Sequence, residues 1–181
     1  TTPELLEKGI PDEAFKPVTG DDKKVAAAIR KKNREERKWK QKNLFSGQGS
    51  TPTLVDTIEE IREWGFMPED SQQAVNDKAD KYQTLMDDPG IRRAREVADL
   101  WTSAFFWPLM NKSATTVPTE DLFRLFQEGS LELPETLRKR MRNLARKHRF
   151  FHWHLEFPEV FGDEGGFDCV LGIPPWERIK L

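Results

Sequence analysis

The chain has 181 residues, 36% hydrophobic and 33% charged, with six Trp and twelve Phe, so it holds too many large apolar anchors to be disordered. Its 29 Lys and Arg against 31 Asp and Glu leave a formal charge of −2, which excludes a uniformly basic nucleic-acid binder and shifts the question to how charge is distributed. The lone Cys169 excludes an internal disulfide and fits a reducing cytoplasm, and no apolar run reaches the roughly 18 residues that a membrane span needs.

Taken in chain order, the pattern is helical. Residues 21–43 are good helix formers without an interior Pro or Gly, following a turn at Thr19-Gly20, and their Lys and Arg outnumber their acids. Residues 46–53 (SGQGSTPT) read as a linker, with a helix starting at Thr51-Pro52 whose Leu54, Ile58, Ile61 and Trp64 share one face. The spacing predicts a helix over 70–86 with Val75, Ala79, Tyr82 and Met86 on its buried stripe.

Asp88-Pro89 is a cap followed by a first-turn proline, and Ile91, Ala94, Ala98, Trp101 and Phe105 form the clearest 3–4 repeat in the chain. Pro108 ends or kinks that helix. A short helix after Thr119 carries Leu122, Phe123, Leu125 and Phe126 and stops at Gly129. Another starts near Pro134 and buries Leu137, Met141 and Leu144, with His148 next on the stripe.

The character changes after Arg149. Residues 150–161 (FFHWHLEFPEVF) are aromatic, broken by Pro158, and lack helical periodicity; residues 162–166 form a polar turn. Phe167 to Leu171 (FDCVL) is a short apolar run that reads as a buried strand of an α/β sheet, with Cys169 a buried small hydrophobe inside it. His152 and His154, two apart, would share a face of a strand and could meet a metal. No cysteine or carboxylate set at ligand spacing completes such a site, so a structural role is the better reading.

Gly172-Ile173-Pro174-Pro175-Trp176 follows at once. Consecutive prolines fix their own φ and push the preceding residue out of the helical region, so the loop is stiff and extended, with Trp176 offered to a flat ligand. Gly-Asn-Pro-Pro-aromatic after a Phe-Asp-hydrophobic strand is the target-base motif of amino-directed DNA methyltransferases, which this segment resembles. The lead-in His152 to Phe161 and the continuation Glu177 to Leu181 look like the same region of large bacterial restriction–modification and phage-defence methylases. The close resemblance covers about residues 150–181.

The resemblance implies a class I methyltransferase that transfers the methyl group of S-adenosylmethionine to the exocyclic amine of adenine, less often of cytosine, in double-stranded DNA. Pro174 would present a backbone carbonyl to that amine and Trp176 its stacking face, with Pro175 stiffening the loop. The family Asn is replaced by Ile173, which has no hydrogen-bonding group and so departs from the motif.

The resemblance also implies a Gly-rich donor loop upstream of the motif, and no strand followed by a Gly-rich helix start occurs in residues 1–149. With the start at Thr1 and the stop at Leu181, this predicts an internal piece of a longer enzyme that by itself is inactive and binds no donor. The expected architecture is mainly α: a helical insertion or spacer over 1–149, then a short α/β remnant of the methyltransferase domain over 150–181.

The run Arg138, Lys139, Arg140, Arg142, Arg146, Lys147, Arg149 contains no acid; it is either a solvated face suited to a helix C-terminus or a set of phosphate contacts, with Arg138, Lys139, Arg142, Arg146 and Lys147 the candidates. The 21–43 helix reads as solvated. The competing function is a non-catalytic helical scaffold that binds DNA or subunits of a restriction or defence system.

Overall fold

The computed structural model describes residues 1–42, 67–111, 115–161 and 166–172, with backbone alone at 40–42 and 159. The elements are α1 (Pro3–Lys8), a 3-10 turn (Asp12–Phe15), α2 (Lys23–Lys42), α3 (Gln72–Met86), α4 (Pro89–Ser103), a second 3-10 turn (Ala104–Phe106), α5 (Glu120–Gln127), α6 (Glu135–His148), α7 (Trp153–Glu156) and α8 (Pro158–Phe161). No strand occurs among the described residues. The linker and the helix expected over Leu54 to Trp64 lie outside them.

Short-range chemistry starts the helices where the sequence signals them. The Asp22 carboxylate accepts from the Lys24 and Val25 amides at 2.8 and 3.3 Å, opening α2. Ser71 caps α3 through the Ala74 amide, and Asp88 caps α4 through the amides of Gly90 and Ile91 at 2.7 and 3.1 Å. Such caps satisfy amides that the helix itself leaves unpaired.

One main core unites α1, α2, α4, α5, α6 and α7. Val25, Ala26 and Ile29 of α2, Val97, Ala98, Leu100 and Trp101 of α4, Phe123 and Phe126 of α5, and Leu137 and Met141 of α6 pack together with Ile10, Phe15 and Leu155. At its centre lies a polar hub. Glu120, 3% exposed, accepts from the Ile10 amide at 2.7 Å and from Arg124 Nε at 2.7 Å. Fully buried Asn33 donates to the Ile10 carbonyl at 3.0 Å and accepts from the Glu120 amide at 2.9 Å. Trp101 Nε1 donates to the Gly9 carbonyl at 2.8 Å. The segment Gly9–Ile10 is thereby pinned to α2, α4 and α5 at once. Gly9 sits at φ +76°, and a Cβ there would overlap the Glu120 carboxylate.

A second anchor ties the aromatic segment down. His152 is fully buried, with Nε2 2.8 Å from Asp99 of α4 and Nδ1 2.9 Å from the Thr1 hydroxyl. His154 Nδ1 reaches the Thr1 carbonyl at 3.2 Å, and Arg95 pairs with Glu156 at 2.8 Å. The two histidines are therefore structural and stand at the start of α7, not on a strand.

Several expectations are corrected. On α3, Val75, Ala79 and Tyr82 are exposed and Met86 is only partly buried; Leu85 is the buried residue, in a small cluster with Ile91 beside Met67 and Met86. An amphipathic stripe needs a facing element, and α3 meets α4 only at its end. Phe105 leaves the α4 stripe because the chain tightens to a 3-10 turn at Ala104–Phe106, whose three-residue period rotates it outward. Leu125 is exposed while Phe123 and Phe126 are buried, since α5 presents only one face to the core. His148 is exposed and stacks on Phe106 at 4.3 Å.

Residues 150–161 contain two short helices rather than irregular chain. Residues 167–172 form no strand: Val170 and Leu171 are 77% and 92% exposed, and Cys169 is exposed too. A buried strand needs ladder partners for its amides and carbonyls, and no described segment supplies any. The α/β remnant is thus not formed by the described residues, which are mainly α.

Replacing Glu120 with Ala takes the carboxylate from Arg124 and the acceptor from the Ile10 amide, so the expected loss is about 3 kcal/mol, against less than about 1 kcal/mol for Leu125→Ala on the exposed side of α5; urea unfolding of both variants checks the contrast.

Burial holds the His154 imidazole down at about 4, from an ordinary 6.5, against the pull of the Thr1 carbonyl; His152 and the terminal amino group lower it further, and Glu4 opposes them. A folded value below the unfolded one means stability is full above 6.5 and is lost as pH falls towards 4. We therefore expect the melting temperature to drop between pH 7 and pH 5, and His154→Gln to flatten that fall; parallel slopes in the two proteins would refute the assignment.

Candidate nucleic-acid interface and target-base loop

Helix α6 turns its cations to two different tasks. Arg138 pairs with Glu132 at 2.8 Å and lies 3.5 Å from Glu96 of α4, and Arg142 pairs with Glu96 at 3.2 Å and Glu135 at 3.9 Å. Arg140 stacks 4.8 Å above the ring of buried Trp107. These side chains fasten α6 to α4 and to the loop before it. The acids they meet are not within the run itself, which is why the sequence alone makes the run look unopposed.

Lys139, Arg146 and Lys147 behave differently. Their spacing of seven and eight residues puts them on one face, all are exposed, and none has an acidic partner among the described residues. Arg146 is steadied by Asn143 at 2.9 Å. Arg149 follows in the left-handed conformation at φ 50° and closes the helix. The face is thus cationic, solvent-accessible and set on a rigid helix, a geometry that can neutralise phosphates. Arg142, half-exposed, borders it.

The chain then enters a nest of rings. Phe167 meets Trp153, Phe157 and Phe161 edge-on, with centroids 5.7, 5.4 and 5.5 Å apart and interplanar angles of 81°, 73° and 90°. Edge-to-face packing sets the positive rim of one ring against the negative face of another. The nest stands on α7 and α8, and Arg95 and Asp99 of α4 hold the α7 end. Phe167 therefore fixes the backbone shortly before Gly172, where a Cβ would meet only open space. Sequence reading missed this anchor by taking Phe167 as the first residue of a strand; the signal was the density of rings at 153, 157, 161 and 167.

Ile173, Pro174, Pro175 and Trp176 lie outside the described residues. No group of three or more metal-ligating side chains occurs among the described residues, and no described helix is long and apolar enough to cross a membrane.

Comparison with known proteins agrees with the resemblance in the 150–181 segment and extends it. A family model described as Eco57I restriction-modification methylase matches residues 90–181, from the first turn of α4 through the basic face of α6 and the ring nest to the Pro-Pro-Trp sequence and beyond. No curated protein and no solved structure matches the chain. With half of its length under that model, the chain belongs to the Eco57I restriction-modification methylase family.

Proposed function

We propose that the chain serves an S-adenosylmethionine-dependent methyltransferase acting on the exocyclic amine of adenine in double-stranded DNA, within a restriction–modification or phage-defence system of the cytoplasm. The observation that carries this reading is the overlap of the family match with Gly172 to Trp176. In the proposed division, residues 1–149 form a helical spacer and 150–181 carry the target-base motif, although His152 and Leu155 of the second part are seated in the helical core.

Chemistry on a base inside a duplex requires the base to leave the stack and be held by ring stacking and edge hydrogen bonds. Trp176 supplies the stacking face, the Pro174 carbonyl accepts from the amine, and Pro175 stiffens the turn. Lys139, Arg146 and Lys147 hold the neighbouring backbone through phosphates. The residues present do not fit the methyl donor: the described residues contain no strand end with a Gly-rich helix start, so we assign the donor to none of them and expect this chain alone to bind it weakly and to transfer no methyl group.

Ile173 favours a second reading, a helical scaffold that binds DNA or partner subunits and keeps the loop without its chemistry, because isoleucine cannot accept the hydrogen bond that the family Asn accepts.

In the complete protein, Ile173→Asn is expected to raise methyl incorporation into unmethylated DNA by roughly tenfold or more, since an unmet hydrogen bond in a dry pocket costs about 1–3 kcal/mol. Trp176→Ala in that background should reverse the gain, a base-stacking face being worth about 1–3 kcal/mol. Donor and DNA binding without transfer in the Ile173→Asn protein would hand the argument to the scaffold reading.

DNA affinity should respond to the free face of α6 rather than to its paired arginines. Replacing Lys139, Arg146 and Lys147 with Gln should make the salt dependence shallower by about one log–log unit per cation. Replacing Arg138 should instead lower the melting temperature; anisotropy titrations across salt, with thermal melts, separate the two effects.

A further inference from the structure

Arg149 ends α6 in a backbone conformation that its own side chain makes costly, at φ 50° and ψ 60°. Among the described residues it is the one non-glycine position with positive φ. Helices that end this way favour Gly or Asn there, because a Cβ crowds the following carbonyl. The ordinary reasons for a cation at this point do not apply. Arg146, Lys147 and His148 already supply the last turn with positive charge against the helix dipole. The Arg149 side chain is exposed and has no hydrogen-bond or ion-pair partner among the described residues. Strain that no internal contact explains points to an external one.

An independent feature lies beside it. Phe106 is 42% exposed and stacks on the exposed His148 ring at 4.3 Å and 27°, with Phe150 5.3 Å from Phe106. Cations and rings alternate along Lys147-His148-Arg149-Phe150. Arg140, seven residues before Lys147 and on the same face, lies over the ring of Trp107, the neighbour of Phe106. Neither Lys147 nor Arg149 has an acidic partner among the described residues. A lone phosphate has no use for the rings, and an apolar protein face would leave the cations desolvated and unpaired. A ligand that is itself alternately flat and anionic meets both: bases stack on aromatic rings while their phosphates meet Lys and Arg.

We propose that the C-terminal end of α6 holds an unpaired nucleotide, with Phe106 and His148 stacking its base and Lys147 and Arg149 meeting the flanking phosphates. That the nucleotide belongs to DNA rests on the proposed function; its binding is read without methyl transfer, so either can fail alone.

The full chain is titrated with a short fluorescent single-stranded DNA and with an abasic strand of the same length. Phe106→Ala and His148→Ala are each expected to weaken the base-bearing strand about tenfold and to leave the abasic strand unchanged. Arg149→Gly should weaken both strands and, by relieving the backbone, raise the melting temperature by about 2 °C. A purely structural Arg149 would move that temperature down. If Phe106→Ala does not fold, His148→Ala, made on an exposed side chain, carries the comparison. No binding of the base-bearing strand, equal affinity of the unaltered protein for both strands, or equal losses on both in the ring variants overturns the proposal. So does an Arg149→Gly protein that melts lower or binds as tightly as before.

Discussion

Everything else in the molecule depends on a buried carboxylate. Glu120 opens α5 and takes the Ile10 amide and the Arg124 guanidinium onto one buried carboxylate. A buried ion pair is a poor source of stability, because desolvating both charges costs about as much as their attraction returns. What it supplies is position. With Asn33 reading the other edge of Ile10, the hub admits only one arrangement of α1, α2, α4 and α5. Arg124 also reaches the Leu6 and Glu7 carbonyls, so the end of α1 is capped from α5.

From that fixed frame the rest of the family-matched region is reached in steps. The long helix α4 carries Asp99 and Arg95 to the segment after α6, and Glu96 to α6 itself. Arg93 adds a clamp, lying 3.7 Å over Phe126 and donating to its carbonyl. The cationic face of α6 and the ring nest before Gly172 are therefore both referenced to one rod. Sites on rigid elements hold their geometry better than sites on loops.

How much of this was legible follows from range. Asp88-Pro89 and the repeat of Ile91, Ala98 and Trp101 announced α4 correctly because caps and periodicity act within a turn or two. The α3 stripe misled because periodicity reports that a face is apolar, not that anything covers it. The run Phe167 to Leu171 misled because a short apolar segment looks the same whether it is a strand, a helix turn or an exposed lead-in. The hub was invisible: Glu120 reads as an ordinary first-turn acid, and its partners Ile10 and Asn33 lie 110 and 87 residues away. Arg138 likewise seemed free until Glu96 arrived from another helix. The family, by contrast, was legible from Gly172 to Trp176, since a rare order of residues needs no third dimension to be recognised.

Gly9 and Glu120 also constrain how this chain can drift. The backbone turn at position 9 and the carboxylate at 120 occupy adjoining space, so neither position can change size on its own. A side chain at 9 is strained by the positive φ however 120 changes, and a shorter acid at 120 abandons Ile10 and Arg124. Such a pair stays still. Among relatives that share the N-terminal helices, glycine at 9 and the acid at 120 should therefore both be kept, although more than a hundred residues lie between them.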